Sequence, residues 1–213
     1  MPGAAERQHV ERQGGAAPGV FVARGPAGPK RVVFLHGMCG HAQGYAQSFQ
    51  YAAARWGRLV APQGDVPCGD GPGAKWSADL ERLDARIRDS FAQLGLDAEE
   101  IAVIGYSQGA TRAEQLVRRY PSRYRYLIEI AAPSAPNPRG LEQLESAVMM
   151  AGELDRHDLM LQGRDKLQSR GVPTTFIELP GARHGSMGRD SELTMGRALA
   201  WLFSPAARTS STL

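Results

Sequence analysis

The chain predicts an α/β fold: one mostly parallel sheet covered by helices on both faces. Three observations carry that prediction. Seven short apolar runs have strand character: Val20–Val22, Val32–Leu35, Leu59–Ala61, Ile101–Ile104, Leu127–Ala132, Val148–Met150 and Thr175–Leu179. Segments with helical apolar spacing separate most of them, which is the alternation of a parallel sheet. The central runs are apolar without interruption, as strands buried on both faces are.

Taken in order, residues 1–19 mix Pro, Gly, Ala, Gln and charges and read as a flexible tail; residues 204–213 read likewise, leaving one domain over 20–203. Between the second and third runs, Tyr45, Phe49, Ala52 and Trp56 fall on one helical face. Leu80, Leu83, Ile87, Phe91 and Leu94 do so before the fourth run. After Ile101–Ile104 a helix carries Ala113, Leu116 and Tyr120, and Pro121 stops it. Glu129 interrupts the run Leu127–Ala132 and has no functional reading. The run Thr175–Leu179 alternates, which predicts an edge strand with one solvated face. A last helix presents Met195, Leu199 and Leu202.

Composition narrows the classes. The 213 residues suit a single domain that buries roughly 70% of its unfolded surface. A net charge of +3 invites a nucleic-acid reading, but arginines alternate with acids from Asp79 to Asp89. The densest basic group, Arg118, Arg119, Arg123 and Arg125, is short and reads as a solvated face, so no nucleic-acid partner is expected. No apolar stretch approaches the roughly 18 residues of a membrane span. Residues 1–19 contain no apolar signal-peptide core. The expectation is a soluble protein, cytoplasmic by default. Oligomeric state is not legible, and there is no internal repeat.

The chemistry is read from the residues just past each strand, because sites in parallel sheets form beyond the strands' carboxyl ends. After Val32–Leu35 comes His36-Gly37-Met38-Cys39-Gly40. After Ile101–Ile104 comes Gly105-Tyr106-Ser107-Gln108-Gly109, a G-x-S-x-G pattern set between a strand and a helix. After Val148–Met150 comes Ala151-Gly152-Glu153-Leu154-Asp155. After Thr175–Leu179 comes Pro180-Gly181-Ala182-Arg183-His184-Gly185. Nucleophile, acid and histidine thus succeed one another in the order Ser, Asp, His.

With these four motifs the chain, from Arg31 to Phe203, resembles the α/β-hydrolase family. Within that family it looks closest to small lidless carboxylesterases and acyl-thioesterases, together with the dienelactone-hydrolase-like group. The resemblance implies a Ser-His-Asp triad acting on a small ester or thioester through an acyl-enzyme. Ser107 would be the nucleophile, His184 the base and Asp155 the group that orients the imidazole. Glu153, Asp158 and Asp165 are rivals for the acid, Asp158 first among them. The oxyanion donors would be the backbone N–H groups of Gln108 and Met38. Trp76 matches a tryptophan that borders the acyl pocket in thioesterase-like relatives, or else packs against the sheet edge.

His36 reads as a brace for the oxyanion loop. His41 and His157 read as surface or loop residues, and His9 lies in the tail. The cluster Asp155-Arg156-His157-Asp158 has no second ligand group of matching spacing, so neither a metal nor any other cofactor is expected. A dienelactone-type hydrolase of cyclic esters, or a non-catalytic ligand-binding member of the fold, would present the same residues.

Caps in this family are usually inserted after the strand that succeeds the nucleophile helix. Here only Pro133 to Ala147 occupy that place, which predicts an open serine without a lid. Cys39 and Cys68 each come after a predicted strand and are either bridged or two free thiols. A bridge would tie the Met38 loop to the wall near Trp76 and would indicate export to an oxidising compartment.

Overall fold

The computed structural model describes residues 10–13, 19–23 and 28–204. Its main sheet is built from β1 (Val10–Gln13), β2 (Val20–Ala23), β3 (Lys30–Leu35), β4 (Gly57–Pro62), β7 (Ile101–Tyr106), β8 (Tyr124–Ile130), β9 (Ser146–Gly152) and β10 (Thr174–Leu179). A separate two-stranded hairpin pairs β5 (Val66–Pro67) with β6 (Ala74–Lys75). The eight strands lie in the order β1-β2-β4-β3-β7-β8-β9-β10. The six from β4 to β10 are mutually parallel, while β1 and β2 run antiparallel at one end. All seven runs read as strands are strands, and β10 occupies the edge its alternation implies.

One sheet face is covered by α1 (Ala42–Gln47), α2 (Gln50–Ala54) and α6 (Ser191–Phe203). The other is covered by α3 (Leu80–Gln93), α4 (Gln108–Arg119) and α5 (Asp158–Gln168). The Leu83, Ile87 and Phe91 stripe of α3 packs against Val33, Val60 and Val103 within this second layer. Ile87 and Phe91 are fully buried, each contributing about 1.5–3 kcal/mol relative to exposure. Asp79 starts that helix by accepting the Arg82 N–H at 2.9 Å.

Three features depart from or extend the sequence expectations. Val10–Gln13, inside the stretch read as a tail, pair antiparallel with β2; the rest of that stretch and residues 205–213 lie outside the described residues. The helix read across Tyr45 to Trp56 is broken in two. Ser48 Oγ donates to the Tyr45 carbonyl, and Glu192 accepts the N–H groups of Tyr51 and Ala52, which starts a new helix there. Glu129 stands in register with Gly105 of β7 and Met149 of β9, fully buried, and neither of its carboxylate oxygens has a hydrogen-bond partner. Burial pushes its carboxyl well above the ordinary value, and nearby Glu114 adds to this while Arg118 opposes it.

The basic group is neutralised by its neighbours: Arg118 pairs with Glu114, Arg119 with Glu81, Arg123 with Asp84 and Arg125 with Glu145. No helix of the described residues is long and apolar enough to cross a membrane.

Candidate active site

The turn between β7 and α4 is tight, and its glycines account for that. A Cβ on Gly105 would lie 2.4 Å from Ala110 Cα, and one on Gly109 would lie 2.0 Å from the Leu35 carbonyl oxygen. Only glycine lets α4 sit this close to β7 and β3. Ser107, at the apex, has φ +50°, a conformation non-glycine residues rarely adopt. Its N–H donates to the Ile130 carbonyl at 2.8 Å, which holds the strained turn against β8.

Three sequence-assigned residues from three strand ends converge on this apex. His184 Nε2 lies 3.1 Å from Ser107 Oγ, and His184 Nδ1 lies 2.8 Å from Asp155 Oδ2. The His184 side chain is 55% exposed and that of Asp155 is 12%, so the carboxylate is shielded while the imidazole meets solvent. Asp155 is set by its own turn, its N–H donating to the Gly152 carbonyl at 2.9 Å. The rival acids are engaged elsewhere. Glu153 accepts from Gly181 N–H, Asp158 pairs with Arg156, and Asp165 pairs with Arg164.

The loop after β3 runs alongside. A Cβ on Gly37 would lie 3.3 Å from Ser107 Cβ, so the loop approaches the serine as closely as a residue without a side chain allows. The Gly37 carbonyl accepts from Gly40 N–H at 2.9 Å and contacts His36 Nδ1 at 2.7 Å. Because the 37–38 peptide is trans, the Met38 N–H points opposite to that doubly held carbonyl. His36 itself is buried and accepts Gly64 N–H on Nε2 at 2.8 Å, which puts its proton on Nδ1 as the donor to Gly37. Burial lowers its pKa to about 4, so it stays neutral and acts as a brace. Gln108, first residue of α4, carries one of the N–H groups that a helix start leaves free of intrahelical bonds.

Trp76 is buried. Its side chain is 4% exposed, its indole N–H donates to the His36 carbonyl at 2.7 Å, and its ring lies 4.7 Å from the His36 imidazole. Its backbone N–H reaches Gln108 Oε1 at 3.1 Å. The hydrogen bond to the His36 carbonyl thus draws the indole behind the loop that carries Met38.

Cys39 and Cys68 are bridged, with Cα atoms 5.5 Å apart and a sequence separation of 29. Their loops leave β3 and β4, which are adjacent parallel strands. The bridge ties the residue after Met38 to the β5–β6 hairpin.

Sequence reasoning missed two supports. Gln63 holds Ala42 N–H, the Gly40 carbonyl and the Pro72 carbonyl at once, joining the loop after β3, α1 and the hairpin. Tyr106 and Tyr45 both grip Gly185, the first accepting its N–H at 2.6 Å and the second donating to its carbonyl at 3.1 Å. The position of Tyr106 within G-Y-S-Q-G was visible, but not its reach to a loop 79 residues on. Residues 131–145 contain no helix or strand, so no cap domain stands over the serine at the usual point of insertion. Among the described residues no group of three or more His, Cys, Asp or Glu is placed to hold a metal ion.

The architecture is the α/β-hydrolase fold. Esterase PE8 superposes with a TM-score of 0.63 at 22% identity, over 84% of this chain and 99% of its own. A hyperthermophilic esterase from the archaeon Pyrobaculum calidifontis gives 0.65 at 19% identity, covering 89% and 80%. TT1662 from Thermus thermophilus gives 0.63 at 17% identity, covering 93% and 100%. No protein-family model matches the chain, and no curated protein matches it in sequence.

Proposed function

We propose that this protein is a serine hydrolase that cleaves small carboxylic esters or thioesters through an acyl-enzyme. The observation that carries the reading is the unbroken Asp155–His184–Ser107 hydrogen-bond chain at an open strand-to-helix turn. The esterases among the structural neighbours support a hydrolytic activity on the same fold.

With Asp155 accepting the Nδ1 proton, His184 Nε2 is free to take the Ser107 hydroxyl proton as Oγ attacks the substrate carbonyl. The carbonyl oxygen becomes an oxyanion, which the backbone N–H groups of Met38 and Gln108 stabilise. Collapse breaks the bond to the leaving group, whose oxygen or sulfur takes the proton back from His184 Nε2. Water then repeats the sequence on the acyl-serine, and the carboxylic acid departs. Trp76 contributes indirectly, by holding the His36 carbonyl and the Gln108 side chain. The Cys39–Cys68 bridge supports a protein that works in an oxidising compartment.

Covalent labelling of the purified protein by a fluorophosphonate, with mapping of the labelled residue, tests the reading. A panel of p-nitrophenyl esters with thioester and lactone substrates then ranks the classes. Labelling at Ser107 is expected; an unlabelled, folded protein would count against the proposal.

A further inference from the structure

A cleft of about 350 Å³ opens directly beside the catalytic histidine loop, between α1 and the turn after β10. Its walls include His41, Gly44, Tyr45 and Ser48 on the α1 side, with Gly185 and Met187 opposite. Both walls belong to catalytic elements: α1 comes after the loop bearing Met38, and Gly185 after His184. The geometry points to this cleft as the subsite for the leaving group, and its walls select an uncharged aryl or compact apolar alcohol. This inference rests on the serine-hydrolase reading and extends it to the substrate class.

The direction is set by proton transfer. The leaving oxygen must come within hydrogen-bond reach of His184 Nε2 to be protonated, so the group it carries lies on the histidine side of the serine. The cleft is lined by Gly185, the residue that follows His184 in the chain. Its chemistry is set by the groups it presents and by those it lacks. The Tyr45 hydroxyl is already committed to the Gly185 carbonyl, and its ring lies 5.2 Å from that of Tyr106, which fixes an aromatic wall. Met187 adds a thioether, which packs favourably against aromatic groups. Among the described lining residues there is no lysine, arginine or carboxylate, and His41 is the one side chain that can carry a positive charge, a weak match for a phosphorylated thiol carrier. An apolar cavity of about 150 Å³ holds one benzene ring, so the space accommodates a fused two-ring group.

Gly44 supplies the test. It lies within α1 and lines the cleft, and a Cβ built on it meets nothing within 4 Å, so a larger side chain can be placed on that wall without clashing with the fold. The measurement is the ratio of kcat/KM for 1-naphthyl acetate to that for ethyl acetate, in wild type and in Gly44→Leu. The acyl group is constant, so the ratio reads the leaving-group side alone. Filling the cleft is expected to lower the ratio at least about tenfold, the scale of lost apolar pocket contacts. A folded variant whose ratio stays within twofold of wild type overturns the assignment.

Should the leucine variant not fold, wild type decides. 1-Naphthol is expected to inhibit ethyl acetate hydrolysis competitively, and absence of competitive inhibition up to its solubility limit overturns the assignment. Fluorophosphonate labelling separates the two levels. A labelled enzyme with an unchanged ratio contradicts only the subsite, whereas an unlabelled wild type removes the subsite and the hydrolase reading together.

Discussion

The phenol of Tyr106 accepts the backbone N–H of Gly185 at 2.6 Å, linking the residue before the candidate nucleophile to the residue after the candidate base. The two groups that exchange a proton in the proposed mechanism are thus held in one frame by a side chain outside that exchange. Gly185 sits at φ +91°, so the loop turns sharply just where the phenol grips it. Burial raises the Tyr106 pKa to about 12, which keeps it a neutral phenol across the working range.

Removing that grip should misplace the imidazole more than it unfolds the protein. Tyr106→Phe is expected to lower kcat about 10- to 100-fold, the size of a lost positioning hydrogen bond worth about 1–3 kcal/mol. KM should change little. Steady-state kinetics beside a thermal melt checks this, and a variant with wild-type kcat would show that the grip is dispensable.

The acid assignment makes a sharper contrast. Asp155→Asn leaves the shape intact but upsets the tautomer of His184, and about a 10⁴-fold loss in kcat is expected. Asp158, 63% exposed and paired with Arg156, should tolerate the same change with little effect. Parallel kinetics on the two variants reads the difference, and the reverse ranking would move the role to Asp158.

Much of this was legible in the sequence, and the reason is physical. Strand ends carry the site, and the apolar runs marked those ends well enough to assign Ser107, Asp155 and His184 to one rim of the sheet. The break at Ser48–Phe49 was not legible, because it depends on Glu192 of α6 capping α2 across the fold. The anchoring of Trp76 was not legible for a related reason: its partner is a backbone carbonyl at His36, which leaves no trace in residue identity. The pairing of Cys39 with Cys68 needed the adjacency of β3 and β4, which comes from topology rather than spacing. Tyr45 and Gln63 bind backbone atoms far along the chain and carried no local signal.

The disulfide should matter to both stability and turnover. Its 29-residue separation gives, on the chain-entropy model, a stabilisation of about 3 to 4 kcal/mol. Denaturant unfolding of the Cys39→Ser/Cys68→Ser variant against wild type is expected to show a loss of that order. Because Cys39 adjoins Met38, kcat should fall too; full activity in the variant would show that the loop is held without the bridge.

Glu129 sets a pH dependence whose sign can be worked out. Its carboxyl is raised above 4.5 in the folded protein, so between that value and the higher folded one the native state binds more protons than the unfolded chain. Stability contributed by the protonated form is therefore fully present below about 4.5 and is lost as pH rises through the folded value. Glu129→Gln, which cannot ionise, should match wild type below about 4.5 and exceed it increasingly as the pH rises above that value. Urea unfolding across that range checks the sign, and parallel curves for the two proteins would contradict it.

Whether Ser107 is the nucleophile is decided by one paired measurement. Fluorophosphonate labelling and esterase turnover are recorded for wild type and Ser107→Ala, with circular dichroism to establish the fold of each. The folded variant is expected to lose labelling completely and about four to six orders of magnitude in kcat. A folded Ser107→Ala protein that still labels, or keeps even about a tenth of the wild-type turnover, would contradict it.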